Sequence, residues 1–142
     1  MDINDPEWQL LVDLKTASKE EYYHAIHTAY LCDRIARRLQ MDDAVVKACG
    51  YYHRIGMLKG ENSWEVVQGI LEENQFPFRV REILKEYIDK KEQIISAETV
   101  VLLFSDTVIS SIQYLFSKNP QVVLDYTKLI EAIFKKKIEN SI

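Results

Sequence analysis

The chain has 142 residues, 47% of them hydrophobic and 28% charged, with a formal net charge of −4 at pH 7. That length suits one domain able to bury about two-thirds of its unfolded surface, and the composition excludes disordered and collagen-like classes. Basic residues occur in small clusters such as Arg37-Arg38 and Lys135-Lys136-Lys137 and form no broad cationic face, which argues against a nucleic-acid partner.

Only four glycines and three prolines punctuate the chain. Between them apolar residues recur at three- and four-residue steps, so the spacing predicts an all-α fold of about six or seven helices, a single compact domain over 1–142. Asp5-Pro6 reads as N-cap and first residue of a short helix reaching about residue 14. Ser18, with Glu21 three residues on, is a capping box opening a long helix through about residue 40. Asp42 or a neighbour starts a third helix that ends between Gly56 and Gly60. Ser63 restarts a helix that stops before Pro77, and a fifth runs over about 78–90. Ser96, Glu98 and Thr99 begin the most apolar helix, which lasts to about residue 117. A last helix over about 121–139 carries an apolar stripe of Val122, Leu129 and Ile133 and a lysine-rich end suited to a helix C-terminus. Its Leu124, Ile130 and Phe134 are available to pair with another chain or to pack on the core.

The longest apolar run, 100–104, stops at Ser105-Asp106, far short of the about 18 residues of a membrane span. The N-terminal "MDINDPEWQLL" lacks the basic start and apolar core of a signal peptide, so a cytoplasmic chain is expected. Cys32 and Cys49 fall in helical apolar patterns without metal-ligand spacing and read as free buried thiols. Tyr22, Tyr23, Tyr51 and Tyr52 read as core and rim packing.

Chemistry concentrates in a few positions. His24 shares a helical face with Thr28, Leu31, Ile35 and Leu39 and should point inward, with His27 one short turn further on the same side. His53, in "YYHRIG", stands where an apolar side chain would be expected. Asp106, in "VVLLFSDTVISSI", has Leu102, Leu103, Ile109 and Ser110 as its neighbours at three and four residues. A carboxylate there needs a metal ion, a cation or hydrogen-bond donors, and His24, His27, His53 and Arg54 are the candidates. Taken singly, each histidine reads more readily as a hydrogen-bonded core residue than as a ligand, and Asp106 reads equally as a structural cap or ion-pair partner.

Together, "HAIHTAYLCDRIARRLQMDDAVVKACGYYHRIG" followed by "LLFSDTVISSI" resembles the HD-domain metal-dependent phosphohydrolases over about residues 18–117. Those all-helical proteins draw one His from an early helix, an adjacent His-Asp pair from a later one and a final Asp from a distant one. The resemblance implies that His24 is the first metal-ligand His, His53 the His of the pair and Asp106 the final Asp. It implies a divalent transition metal such as manganese, iron or nickel. Arg54 stands where the family has the Asp of the pair, and Met57 replaces a lysine that often follows the family's glycine, with Lys59 close by. "ISAETVVLLFSDTVISSIQYL" is most similar to the cytosolic HD domain of bacterial membrane-anchored cyclic-di-AMP phosphodiesterases, which carry extra histidines before the last Asp. No histidine lies between Arg54 and Asp106 here, so the usual two-metal clamp is not formed.

Two functions follow. If Arg54 forks onto Asp106 in place of a metal, the chain is a non-catalytic nucleotide-sensing or interaction module without cofactor. If His24, His53 and Asp106 hold a metal, it is a phosphohydrolase acting on a nucleotide or cyclic dinucleotide, with Arg54, Lys59 and His27 binding phosphate. The sequence favours the first, because a permanent guanidinium beside a dication is repelled in a poorly hydrated pocket. Either is compatible with a homo-oligomer or with a place in a larger receptor.

Overall fold

The computed structural model describes residues 2–89, 93–94 and 96–138. Among these are seven α-helices and no strand: α1 (Gln9–Ala17), α2 (Lys19–Arg38), α3 (Asp43–Tyr52), α4 (Trp64–Glu73), α5 (Phe78–Ile88), α6 (Ala97–Lys118) and α7 (Tyr126–Ile133). The all-α bundle expected from the periodicity is therefore the fold. Four of the helix starts are the expected ones. The side chains of Ser18, Asp42, Ser63 and Ser96 accept from the backbone N–H groups of Glu21, Val45, Val66 and Thr99, satisfying donors that the first helical turn leaves unpaired.

Two ends differ. The Asp5 carboxylate takes the Glu7 N–H and its carbonyl takes the Trp8 N–H, so Asp5-Pro6 closes a turn and α1 begins only at Gln9. The expected last helix is shorter, because Asn119 and Pro120 lead into a turn whose Asn119 side chain accepts from the Gln121 N–H. Asp125 then caps α7, and the chain continues as a π-helical turn over Phe134–Ile138. Residues 90 and 139, the expected ends of the fifth and last helices, lie outside the described residues.

The core is closed by small residues on α2 and large ones around them. Ala25, Ala29, Cys32 and Ala36 bring α2 close to α3, while Leu11, Tyr52, Leu71, Phe76, Ile83 and Leu84 fill the space between the other helices. Cys32 and Cys49 are free and buried, as expected, and burial pushes the Cys32 thiol up to about 12. At Gly50 of α3 an added Cβ would lie 2.6 Å from the Ala29 Cα and 2.9 Å from its nitrogen, so here the two helices meet backbone to backbone. That approach sets the distance between α2 and the end of α3.

After α3 the backbone leaves helical geometry at Arg54 (φ −124, ψ 21) and tightens into a 3-10 turn, Ile55–Lys59. Gly60 closes it at φ 80, a left-handed conformation that costs glycine little. Asn62 fastens this turn, its Oδ1 accepting from the Gly56 N–H at 3.0 Å and its Nδ2 donating to the His53 carbonyl at 2.8 Å. By length and composition α6 could cross a membrane, with mean hydropathy 1.5. It nonetheless carries Asp106 in mid-helix and buries Leu102, Ser105 and Val108 inside the bundle, where it packs on α2, α3 and α5.

Gly50→Ala is expected to lower the unfolding free energy by about 3 kcal/mol, because only a shift of α2 against α3 can make room for the methyl. Urea unfolding at unchanged slope measures this; a loss below about 1 kcal/mol would contradict so close an approach.

Candidate metal centre

Three elements aim one side chain each at a common point. His24 lies in the second turn of α2, His53 directly follows α3, and Asp106 sits halfway along α6. The His24 Nε2 is 2.8 Å from the Asp106 Oδ1 and 3.2 Å from the His53 Nε2, and the His53 Nε2 is 3.4 Å from the same carboxylate oxygen. Among the described residues this is the group of His, Cys, Asp and Glu side chains whose spacing suits a metal. His24 and His53 are buried, with relative exposures of 7% and 1%.

The outer nitrogens fix what faces inward. His53 Nδ1 is 2.7 Å from the Gly50 carbonyl, which can only accept, so Nδ1 carries the proton and the neutral ring turns an Nε2 lone pair to the centre. His24 Nδ1 is 2.9 Å from the Gln113 Oε1, with the same consequence. Two imidazole lone pairs and a carboxylate oxygen thus meet at 2.8–3.4 Å with no donor between them. Three acceptors so close repel unless a cation lies among them, and that cation is either a proton on one imidazole or a metal ion.

A metal fits the distances. Ligand atoms about 2.0–2.1 Å from one ion, on adjacent corners of a tetrahedron or octahedron, are about 2.8–3.4 Å apart. The three edges match one face of such a polyhedron. The opposite side stays open, and two histidines with one carboxylate is a donor set for divalent transition metals. The surroundings support it as well. The Tyr87 hydroxyl donates to the Asp106 Oδ2, leaving Oδ1 to the centre, and Ser110 Oγ donates to Oδ1 at 3.2 Å. Gly50 and Gln113 hold the rings by their far nitrogens, the usual way of fixing the tautomer of a ligating histidine.

Electrostatics follow from the contacts. Burial would raise the Asp106 carboxyl, but its contacts with His24 and His53, each able to donate through Nε2 when its ring is protonated, and the hydrogen bond from Tyr87 outweigh it and hold the group far below the usual carboxylate range. Burial would lower the His24 imidazole, but its bonds to Asp106 and Gln113 hold it above the ordinary value. Tyr87 is pushed well up by burial and by the Asp106 charge, so it stays a neutral donor.

Arg54 is not where the sequence suggested. Its Nε and Nη2 fork onto the two oxygens of Glu21 at 2.6 and 2.8 Å, and Asp106 instead accepts from Tyr87 and Ser110 and faces the histidines. The non-helical backbone at Arg54 turns its side chain across to α2, where Glu21 lies one turn before His24. The Arg54 fork, against the cost of burial, lowers the Glu21 pKa. Arg54 nevertheless borders two open cavities that flank the centre. One, of about 340 Å³, is shared with Glu21, His24 and Gln113; the other, of about 360 Å³, with His53, Asn62, Tyr87 and Asp106. The other expected phosphate contacts lie elsewhere. His27 is exposed beside Tyr23, three residues being short of a full turn, and Lys59 is exposed at the end of the 3-10 turn; neither lines a cavity at the centre.

Sequence reasoning missed Glu21, Tyr87, Asn62 and Gln113. Glu21 was visible only as half of a capping box, and that box is in fact half made, since the Glu21 carboxylate serves Arg54. Gln113 had a signal, standing two helical turns after Asp106 on one face of α6. Tyr87 and Asn62 had none, as both reach the site from other elements.

In metal-free protein the depressed carboxylates stabilise the fold above their ordinary pKa, 4.5 for Glu21, and that contribution is lost as pH falls through their folded values. His24, raised above 6.5, stabilises below that value, and its contribution is lost as pH climbs through the folded one. Urea unfolding with chelator should therefore show stability rising from about pH 3 to pH 5 and declining on the alkaline side of the His24 titration. Asp106→Asn should flatten both limbs, whereas unchanged slopes would contradict the pairing. Comparison of the chain with protein-family models, curated proteins and solved structures finds no match.

Proposed function

We propose that the chain is an HD-domain-like phosphohydrolase with a single divalent transition metal, acting on a phosphate ester of the nucleotide or cyclic-dinucleotide class. The observation that carries this reading is the meeting of two imidazole lone pairs and one carboxylate oxygen at separations that suit one ion. The resemblance of 18–117 to HD domains points the same way, from motif order alone.

The argument for a metal-free module rested on Arg54 neutralising Asp106, and Arg54 is engaged by Glu21 instead. The guanidinium charge is thereby compensated, and the repulsion it would exert on a dication is reduced. When bound, the ion would act as a Lewis acid on a phosphoryl oxygen and make water more acidic. The residues of the chain supply the rest. His24, His53 and Asp106 leave one side of the site open, Tyr87 holds Asp106 to a single ligating oxygen, and Arg54 offers a fork suited to phosphate at the border of both cavities. The absence of a carboxylate at Arg54 argues for one ion, not two.

A second reading is a non-catalytic sensing module whose central cation is a proton. The 2.8 Å separation of His24 Nε2 and Asp106 Oδ1, an ordinary hydrogen-bond length, favours it.

Elemental analysis of protein purified without chelator, with manganese titrated calorimetrically into the metal-free chain, separates the two. About one ion per chain is expected, with affinity falling roughly 100-fold or more in Asp106→Ala and about 10- to 100-fold in Tyr87→Phe. Hydrolysis of at least one member of a nucleotide and cyclic-dinucleotide panel should require the added metal. Absence of metal binding would leave the proton-centred module; binding without turnover would leave a metal-dependent sensor.

A further inference from the structure

The pair formed by Arg54 and Glu21 has the geometry of an anion site whose anion belongs to the chain itself. Arg54 is the residue common to the two cavities at the centre. Two of its nitrogens meet the two Glu21 oxygens in parallel, the fork-to-fork arrangement by which arginine also takes a phosphoryl group. The Arg54 side chain is 39% exposed, so a solute can reach it. Glu21 is not needed where it stands for the helix start, since Ser18 caps α2 through the Glu21 backbone N–H and not through its carboxylate.

Resting on the metal reading above, we propose that Glu21 is a resident carboxylate on a phosphoryl-binding Arg54, and that a ligand phosphate takes its place on the guanidinium. Charge decides when this happens. Without metal, the carboxylates of Glu20, Glu21 and Asp106 line the two cavities that Arg54 borders, and the site is net negative and binds phosphate weakly. A dication on His24, His53 and Asp106 cancels that excess negative charge, so phosphate exchange at Arg54 follows metal loading. The Glu21 carboxylate thus makes phosphate binding depend on the ion and sets its affinity.

Inorganic phosphate is the probe, titrated calorimetrically into metal-free and manganese-loaded chain for wild type, Glu21→Gln, Glu20→Gln and Arg54→Gln. Glu21→Gln keeps the shape of the side chain and the N-cap, and should bind phosphate roughly tenfold more tightly than wild type in the same metal state. Arg54→Gln should lose that binding. Glu20→Gln removes an equal charge from the same cavity without touching the fork, and should gain about twofold at most. Manganese affinity, measured separately, should stay within about threefold of wild type in Glu21→Gln. An equal gain in Glu20→Gln and Glu21→Gln, or no gain in Glu21→Gln, overturns the proposal. Failure of the metal reading shows instead as absent manganese binding, and the ratio of Glu21→Gln to wild type in metal-free chain then still decides the role of Glu21.

Discussion

A carboxylate in the middle of the most apolar helix sets the terms for this molecule. Asp106 is half-buried, next to Ser105 and one turn from Leu102, both buried, and a charge there is costly unless its oxygens are met. One oxygen is met by Tyr87; the other faces two imidazoles whose outer nitrogens are already committed as donors. That commitment turns an ordinary buried pair into a centre that calls for a cation.

The fold supplies the precision such a centre needs. The backbone contact at Gly50 and Ala29 fixes α3 against α2, and the Gly50 carbonyl, released at the end of α3, is the group that orients His53. Asn62 ties the following turn to the His53 carbonyl, so one histidine is held from the helix side and from the loop side. Two of the facing atoms are carried in mid-helix and the third by the residue that ends α3, and the charged pair, Arg54 with Glu21, lies at the edge. A held centre beside a partly exposed fork is the division that the proposed ion and exchanged ligand would require.

Local chemistry in the sequence was enough for much of this. Capping residues at 18, 42, 63 and 96 are short-range hydrogen-bonding devices and were readable as such. Asp5-Pro6 was not, because an Asp that closes a turn on its own backbone looks identical to one that caps a helix. His24, His53 and Asp106 were legible from polarity in apolar surroundings and from motif order. The partner of Arg54 was not legible. Adjacent residues on a helix point about 100° apart, and the backbone departs from helix at Arg54 itself, so its direction is a tertiary fact. His27 failed for a related reason: a three-residue step falls short of a turn, and that offset places the ring in solvent beside Tyr23.

The direction of Arg54 therefore carries more weight than its identity. With the guanidinium on Asp106 the centre would be filled by the protein's own charge; with it on Glu21 the three ligand atoms are left facing one another. Anomalous scattering from crystals grown with manganese tests this most directly. The account predicts one peak within roughly 2.0–2.3 Å of His24 Nε2, His53 Nε2 and Asp106 Oδ1, with Arg54 apart from it. No peak at that point, or Arg54 turned onto Asp106, would contradict it.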